Sequence, residues 1–326
     1  MQPAVGVVTM GHAIVDVLAP VEDALVAGFG LAKGTMTLVG PDRAEQIYAA
    51  LGQTTTASGG SAANTAAGLA SLGERAAFVG KVRDDALGDA FSRDIRAAGV
   101  DFTVPAGTDG PATGRCLVMV TPDAEKTMCT SLGIGDLLGP TDIDLGLVGS
   151  ARVLYLEGYL CGQEHTDAAV GLAVGAAREA GTLVALSLSD PLWVELHGKD
   201  IAPLLERVDL LFANESEARC MARTDTVESA VEELAERCPL VVVTRGAAGS
   251  VVATGGDRFV VPAAEVRRVV DTTGAGDLFA AGYLYGAVRG WEPARSARLG
   301  AAVAAEVVSH MGARPLVPLA SLVAGV

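Results

Sequence analysis

Several residue types are scarce in this chain, and each scarcity argues against a class of protein. Aromatic residues make up only 4% of the 326 residues, and lysine occurs at four positions. The five cysteines include no Cys-x-x-Cys pair and the four histidines are dispersed, so neither a disulfide framework nor a metal-ligand spacing is visible. The formal net charge of −15 disfavours a protein that coats nucleic acid or an anionic membrane.

Long apolar runs are missing as well. No segment approaches the roughly 18 uninterrupted apolar residues of a membrane span. The first five residues, Met1 to Val5, lack the basic start and the long apolar stretch of a signal peptide. We therefore expect a cytoplasmic protein with reduced thiols, binding small molecules rather than nucleic acid or membrane, as a monomer or a homodimer.

The residues that are abundant predict a folded α/β protein. Half of the chain is hydrophobic, and apolar strand-like runs alternate with Ala-rich helical stretches, which favours a mostly parallel sheet. Two regions break this rhythm with short polar and apolar alternations, and the second predicts a hairpin that turns at 122–125. We expect a small discontinuous β unit of residues 16–56 and 100–131. The remaining residues, 1–15, 57–99 and 132–326, would form a large domain.

The common phosphate-binding and catalytic motifs are absent. No lysine has a glycine before it and a serine or threonine after it, so there is no P-loop, and no G-x-G-x-x-G occurs. A G-x-S-x-G nucleophile elbow and an H-E-x-x-H zinc motif are missing too. Ordinary Rossmann dehydrogenases, P-loop NTPases, α/β-hydrolases and zincins are therefore poor interpretations.

Two glycine motifs remain, and the stronger is Asp271-Thr-Thr-Gly274-Ala-Gly276-Asp277. It follows a strand-like run and opens a helical one, so its glycines free backbone N–H groups to bind a phosphate at a helix N-terminus. A carboxylate at Asp277 would repel a bound phosphate, but it would serve as the base for a hydroxyl that attacks one. The alternative is a plain strand–helix turn with Asp277 as the N-cap.

The second motif is Ser58-Gly59-Gly60-Ser61-Ala-Ala-Asn64. Paired glycines before a helix let a ligand approach the backbone closely, and Asn64 offers both a donor and an acceptor one turn later. A packing pair of glycines with a helix-facing asparagine explains the pattern equally well.

Together, in this order and about two hundred residues apart, the motifs resemble the two signatures of the ribokinase-like (PfkB) carbohydrate kinases. The segments from Gly11 to Asp16, from Asn214 to Glu217 and from Glu306 to Arg314 are similar to the adenosine-kinase-like bacterial branch. The resemblance implies a ribokinase-like three-layer α/β/α sandwich with a mostly parallel central sheet. The small β unit would be a β-sheet lid over the site.

The resemblance also implies the reaction, which is transfer of the ATP γ-phosphoryl group to a primary hydroxyl of a nucleoside, with adenosine favoured, or of a small sugar. Asp277 would be the general base. Gly274, Ala275 and Gly276 would form an anion hole with the amides of Ala275, Gly276 and Asp277.

For the acceptor, the resemblance implies that Asp16, Gly59, Gly60 and Asn64 hold sugar hydroxyls. Arg115 would reach over the phosphates from the lid. Tyr159 is a stacking candidate for a nucleoside base, and the alternative, which the local pattern favours, is a core aromatic after a strand. Without the resemblance, Asp16 could also be a surface residue on an edge strand.

For ATP and Mg²⁺, the resemblance implies eight residues: Asn214, Glu217, Thr244, Arg245, Gly246, Gly249, Asp271 and Thr272. The metal would bind through water near Asn214 and Glu217, with no direct protein ligand, and a K⁺ requirement stays open. On local grounds, Asn214 and Glu217 would form a helix capping box, and Arg245 would be a surface residue.

Two alternatives remain open at the level of sequence. Because the chain is poor in aromatics, ribose or fructose stays in play as the acceptor instead of a nucleoside. The second alternative is a non-catalytic member of the fold that binds a nucleotide or sugar for regulation.

Overall fold

The computed structural model describes residues 5–123 and 125–326. The start of the chain considered for a signal peptide, apart from Val5, and Ala124 of the expected hairpin turn lie outside these residues. Thirteen strands are present in the described part: β1 Val7–Met10, β2 Ile14–Pro20, β3 Met36–Leu38, β4 Thr55–Gly59, β5 Ala76–Val79, β6 Gly114–Val120, β7 Lys126–Ser131, β8 Val153–Glu157, β9 Leu183–Ser187, β10 Leu210–Asn214, β11 Leu240–Thr244, β12 Ser250–Thr254 and β13 Asp257–Val261.

The described residues contain eleven α-helices. They are α1 Asp23–Gly28, α2 Pro41–Ala50, α3 Ser61–Ser71, α4 Ala86–Ala97, α5 Leu145–Ser150, α6 Glu164–Ala180, α7 Pro191–Leu205, α8 Glu215–Ala222, α9 Val227–Arg237, α10 Ala275–Ala287 and α11 Pro293–Val307. None of the helices in this part of the chain is long and apolar enough to cross a membrane.

The large sheet has eight strands in the order β13-β12-β11-β10-β9-β8-β1-β5. Six of them, from β5 to β11 in that order, run parallel, and β12 and β13 add an antiparallel edge. The parallel strands are short and almost continuously apolar because helices cover both faces of the sheet. Helices α3, α10 and α11 pack in one layer, and α5 to α9 pack along the other, which confirms the expected three-layer α/β/α sandwich.

A second sheet of five strands stands beside the first, in the order β3-β7-β6-β2-β4. Strands β6 and β7 form the antiparallel hairpin expected from the sequence, with Val120 opposite Lys126. We call this five-stranded sheet, with α1 and α2, the lid. Its strands β2 and β4 extend into residues 14–15 and 57–59, which the sequence analysis assigned to the large domain.

The structure corrects two details of the expected organisation. The region 16–56 was expected to hold only short β-type alternations, yet it contains helices α1 and α2. The strand β13 was not expected, because its alternation is exposed on the sheet edge and buries little more than Val261. Both differences arise where the local apolar pattern is weak and tertiary pairing decides the structure.

The packing of α10 on α11 depends on two glycines that face each other. A Cβ on Gly282 would lie 2.8 Å from the Cα and N of Gly300 and from the carbonyl oxygen of Leu299. Real Cβ atoms do not approach backbone so closely, so the two helices would have to separate.

We therefore expect Gly282→Ala to destabilise the protein by about 1–3 kcal/mol through overpacking. The matched control is Gly171→Ala in α6, where no atom lies within 4 Å of the new Cβ. That control should be neutral or stabilising by up to about 1 kcal/mol, because alanine loses less entropy in a helix than glycine. Urea unfolding of the two variants checks this, and equal stabilities would contradict the packing argument.

Candidate active site

The candidate residues gather at one edge of the large sheet because parallel strands end there. Strands β1, β8, β10 and β11 lead at their carboxyl ends to His12, Glu157, Asn214 and Thr244. In open parallel sheets this edge is where ligands bind. Helices α3 and α10 begin beside it and bring in the two glycine motifs.

The carboxylate of Asp277 joins those two motifs directly. Ser61 Oγ donates a hydrogen bond to its Oδ1 at 2.6 Å, and Asn64 Nδ2 donates to its Oδ2 at 2.9 Å. Burial raises the pKa of Asp277 to about 6, although these two hydrogen bonds act in the opposite direction. The group is thus an oriented carboxylate whose pKa lies close to neutrality, as a general base requires. It is not the N-cap of α10, since Gly274 holds that position.

The backbone at the start of α10 offers two free amides. Gly274 has φ 77°, and a Cβ there would collide with Ala313, so this position requires glycine. Among the described residues, the N–H groups of Gly276 and Asp277 have no hydrogen-bond partner, whereas Ala275 N donates to Thr272 O at 3.1 Å. The expected role of the Ala275 amide is therefore not supported. The other two amides form an anion site at the helix N-terminus.

Asp16 lies next to this site on strand β2. The Cβ of any residue other than glycine at position 59 would lie 2.6 Å from Asp16 Oδ2, so Gly59 makes room for the carboxylate. Burial raises the pKa of Asp16 to about 6; the charge of Arg314 lowers it and that of Asp277 raises it. No described residue donates a hydrogen bond to Asp16, which leaves both oxygens able to accept from ligand hydroxyls.

Gly60 and Arg314 also lie at this part of the site, near Asp16. Gly60 has φ 93° and packs against the carbonyl of His12, which a Cβ would approach to 2.3 Å. Arg314 donates hydrogen bonds to Ser58 O and Ala63 O at 3.3 and 2.8 Å. Burial lowers the pKa of Arg314 to about 10, so it remains a cation near Asp16 and Asp277 at neutral pH.

A buried ion pair supports the start of α3. Glu157 is 1% exposed; its Oε1 accepts from His12 N at 2.7 Å and lies 2.9 Å from His12 Nδ1, while its Oε2 accepts from Ala62 N at 2.9 Å. His12 Nε2 lies 3.2 Å from Asp136 Oδ1. Burial alone would lower the pKa of His12, but hydrogen bonds to Asp136 and Glu157 outweigh it and raise the pKa to about 9. His12 is therefore an imidazolium between two carboxylates.

Asp271, expected near ATP, has all its acceptor positions engaged by protein groups. Its Oδ1 accepts from the amide and hydroxyl of Thr273, and its Oδ2 accepts from Lys126 Nζ at 2.7 Å and Gly312 N at 2.9 Å. These hydrogen bonds hold its pKa well below the usual range, against the effect of burial. Asp271 fixes the turn before Gly274 and ties it to the lid through Lys126.

A cavity of about 510 Å³ opens beside the anion site. Six of the predicted site residues line it, namely Thr244, Gly246, Gly249, Thr272, Ala275 and Gly276. The rest of its wall is mainly alanine and valine, with Phe279, so it suits a flat apolar ring. The two free amides and this cavity are therefore continuous at Gly276, which has open space around its Cα.

Asn214 and Glu217 form the capping box that the alternative interpretation expected. Asn214 N and Nδ2 donate to the two oxygens of Glu217 at 2.8 and 2.5 Å, and Glu217 N donates back to Asn214 Oδ1 at 2.9 Å. Burial raises the pKa of Glu217 to about 7. No group of three His, Cys, Asp or Glu side chains that could hold a metal is found in the described residues.

The side chains of Arg245 and Arg115 do not lie where the sequence analysis expected. Arg245 Nε lies 3.6 Å from Glu215, within the large domain, and the side chain does not line the 510 Å³ cavity. Arg115 is 4% exposed; it donates to Glu45 at 2.6 Å, and its guanidinium covers the ring of Tyr48. It packs inside the lid instead of reaching toward phosphates.

Another cavity, of about 440 Å³, lies between the lid and the large domain, and we call it the lid cavity. The lid contributes Leu38 and Thr130, and the large domain contributes Asp136, Trp193 and His197. Thr130 pairs with Cys116, which pairs with Asp16, so the cavity begins about two strand spacings, or about 10 Å, from Asp16.

Trp193, not Tyr159, belongs to the wall of the lid cavity, where it is 4% exposed and stacks on His197 at 4.4 Å between ring centroids. The Tyr159 ring packs edge-on against Trp193 at 5.5 Å, and it is not part of the cavity wall. The prediction of Tyr159 as the stacking residue is therefore not supported by its position.

Sequence reasoning gave no role to five residues that the fold brings to the site. Ser61 was quoted in the glycine motif and Arg314 in the C-terminal match, but neither had a task. His12, Glu157 and Lys126 carry no local signal, because each acts through a partner more than a hundred residues away. The only signal that could have indicated a role for His12 and Glu157 is an ionisable residue buried at the end of an apolar strand.

The His12 ion pair predicts a pH dependence of stability. The folded-state pKa of about 9 exceeds the ordinary value of 6.5, so its stabilisation is complete below pH 6.5 and is lost as the pH rises through 9. We expect His12→Asn to abolish this loss between pH 6.5 and 9. Urea unfolding at several pH values checks it, with exposed His165→Asn as control. Parallel curves for wild type and His12→Asn would contradict the assignment.

Comparisons with known proteins agree with this fold. Residues 23–320 match the pfkB family carbohydrate kinase. A solved adenosine kinase from Sinorhizobium meliloti is 42% identical, with a TM-score of 0.91 and 99% of both chains covered. A solved probable sugar kinase from Rhizobium etli is 38% identical, with a TM-score of 0.92 and the same coverage. The 5-dehydro-2-deoxygluconokinase of Geobacillus kaustophilus is 30% identical over 80% of this chain and 81% of its own.

The match over most of the chain, the fold and the paired glycine motifs agree: this chain is a member of the pfkB carbohydrate kinase family, a phosphotransferase that acts on a sugar or nucleoside hydroxyl.

Proposed function

We propose that the protein is an ATP-dependent nucleoside kinase that phosphorylates the primary hydroxyl of the ribose, with adenosine as the leading acceptor. The observation that carries the proposal is the Asp277 carboxylate, fixed by Ser61 and Asn64 beside two free backbone amides. A base and an anion site held this close together serve the attack of a hydroxyl on a phosphate.

Asp277 acts as the general base in this proposal. With its pKa raised to about 6, it is ionised at neutral pH and still basic enough to accept the proton of the attacking hydroxyl. The amides of Gly276 and Asp277 stabilise the charge on the transferred phosphoryl group. An intact base and anion site argue against the non-catalytic alternative.

Asp16 holds the vicinal hydroxyls of the acceptor's ribose. Unlike Asp277, it accepts no hydrogen bond from any described residue. Gly59 and Gly60 let the ligand approach the backbone beside it. The predicted role of Asn64 changes, because its Nδ2 is used by Asp277. Its Oδ1 is buried without a partner, so a ligand hydroxyl is a suitable donor to it.

ATP fits the 510 Å³ cavity, with its base against the small residues and its phosphates toward Gly276. Mg²⁺ would neutralise phosphate charge there. Both oxygens of Glu217 already accept hydrogen bonds from Asn214, so this pair fits a water-mediated metal and not direct ligation. We therefore keep Asn214 and Glu217 as residues that would hold Mg²⁺ through water molecules.

The lid cavity favours a nucleoside over a free sugar. It begins about two strand spacings from Asp16, and its wall includes the apolar side chains of Leu38, Val39 and Leu132 as well as Trp193. Ribose alone would leave this apolar surface uncovered, whereas a base attached to the ribose would cover it. The 42% identical adenosine kinase structure supports the same acceptor class.

We expect Asp277→Asn to lower kcat by at least about 100-fold, because the amide cannot accept the hydroxyl proton, while ATP and acceptor binding persist. The kcat/KM of the wild type should fall as the pH drops through about 6, where Asp277 and Asp16 become protonated. Steady-state kinetics and calorimetric binding measure both, with exposed Asp257→Asn as the control. Near-normal turnover of Asp277→Asn would refute the mechanism.

The acceptor is tested by ADP release with adenosine, guanosine, inosine, ribose and fructose at equal concentrations. We expect kcat/KM for the best nucleoside to exceed that for ribose or fructose by at least tenfold, because only the nucleoside covers the lid cavity. A higher kcat/KM with ribose or fructose would establish the sugar-kinase alternative instead.

A further inference from the structure

An acidic side chain in the wall of the lid cavity has no task in the proposed mechanism. Asp136 lies in the cavity wall, and its side chain is 37% exposed. Its Oδ1 is paired with His12 Nε2 at 3.2 Å, which is its only side-chain partner in the described residues. Its second oxygen is therefore available to a ligand in the cavity.

The orientation of Asp136 is fixed by the same ion pair that supports α3. His12 is held on its other ring nitrogen by Glu157, which is buried, and its ring packs against Gly135, where a Cβ would lie 2.7 Å from Cδ2. An imidazolium in this position donates to Asp136 and leaves it as a pure acceptor. A carboxylate at this place can accept hydrogen bonds but cannot donate one.

The surroundings of Asp136 suggest what donates to it. Leu132 and Leu137 line the same cavity with Trp193, which is 4% exposed and stacks on His197 at 4.4 Å between ring centroids, while Asp136 offers a polar edge. Such a wall suits a planar heteroaromatic ring that packs on its faces and presents an N–H at its edge.

We propose that Asp136 is a specificity-determining residue that accepts a hydrogen bond from an N–H group on the acceptor's base. This inference rests on the proposed nucleoside kinase function. It narrows the substrate class to nucleosides whose base carries an N–H donor on the edge away from the ribose, such as adenosine or inosine. A base with only lone pairs on that edge leaves the second oxygen of this carboxylate desolvated and without a hydrogen bond, which is costly.

The test compares substrates that carry this donor with analogues in which it is removed or blocked. Wild type, Asp136→Ala and Asp136→Asn are assayed with adenosine against purine riboside, which lacks the amino group, and with inosine against 1-methylinosine. Exposed Asp225→Ala, in the loop before α9, removes the same charge away from the cavity and serves as control. Thermal unfolding confirms that each variant is folded.

In wild type, the kcat/KM ratio of the donor-bearing substrate to its analogue should be roughly 10 to 100. Asp136→Ala should bring this ratio close to one, Asp136→Asn should lower it less because its carbonyl still accepts, and Asp225→Ala should leave it unchanged. An unchanged ratio in Asp136→Ala, or an equal loss with both substrates, overturns the inference but not the kinase function. Failure of wild type to use any nucleoside overturns both.

Discussion

The hydrogen bonds from Ser61 and Asn64 to Asp277 connect residues 216 and 213 positions apart, and the rest of the site is arranged around them. They require α3 and α10 to start side by side and to pack closely. Gly68 meets that requirement, since a Cβ there would lie 2.7 Å from Leu278 and 2.8 Å from Ala281. The small residues of both helices thus follow from the need to place one carboxylate.

The position of α3 depends in turn on Glu157, whose carboxylate accepts from the amide of Ala62 at the start of the helix. A buried carboxylate is stable only when its oxygens are hydrogen-bonded and its charge is paired, and His12 provides both. The same imidazolium orients Asp136 on the other side. The His12 side chain therefore links α3, which positions the general base Asp277, to the lid cavity, which we assign to the nucleobase of the acceptor.

The sequence was informative where one short segment carries both the conformation and the chemistry. The turn around Gly274 and the pair Gly59 and Gly60 were found because glycine marks backbone that approaches another chain segment or has positive φ. The local sequence pattern could not show that the Ala275 amide donates a hydrogen bond to the Thr272 carbonyl. Nor could it show that Arg115 packs inside the lid and donates to Glu45. Both contacts depend on tertiary packing, and so does the hydrogen bond from Ser61 to Asp277.

Amino-acid composition says less about the acceptor than the positions of individual residues do. The net charge of −15 is compatible with phosphate binding, because the anion site consists of backbone amides, and half-buried Arg314 and buried His12 offset the local carboxylates. Scarcity of aromatics likewise does not exclude a nucleoside. One of the two tryptophans lines the lid cavity, and stacking needs a single well-placed ring. Lys126 on strand β7 pairs with Asp271 in the turn before Gly274, so one ion pair joins the lid directly to the segment that carries the anion site.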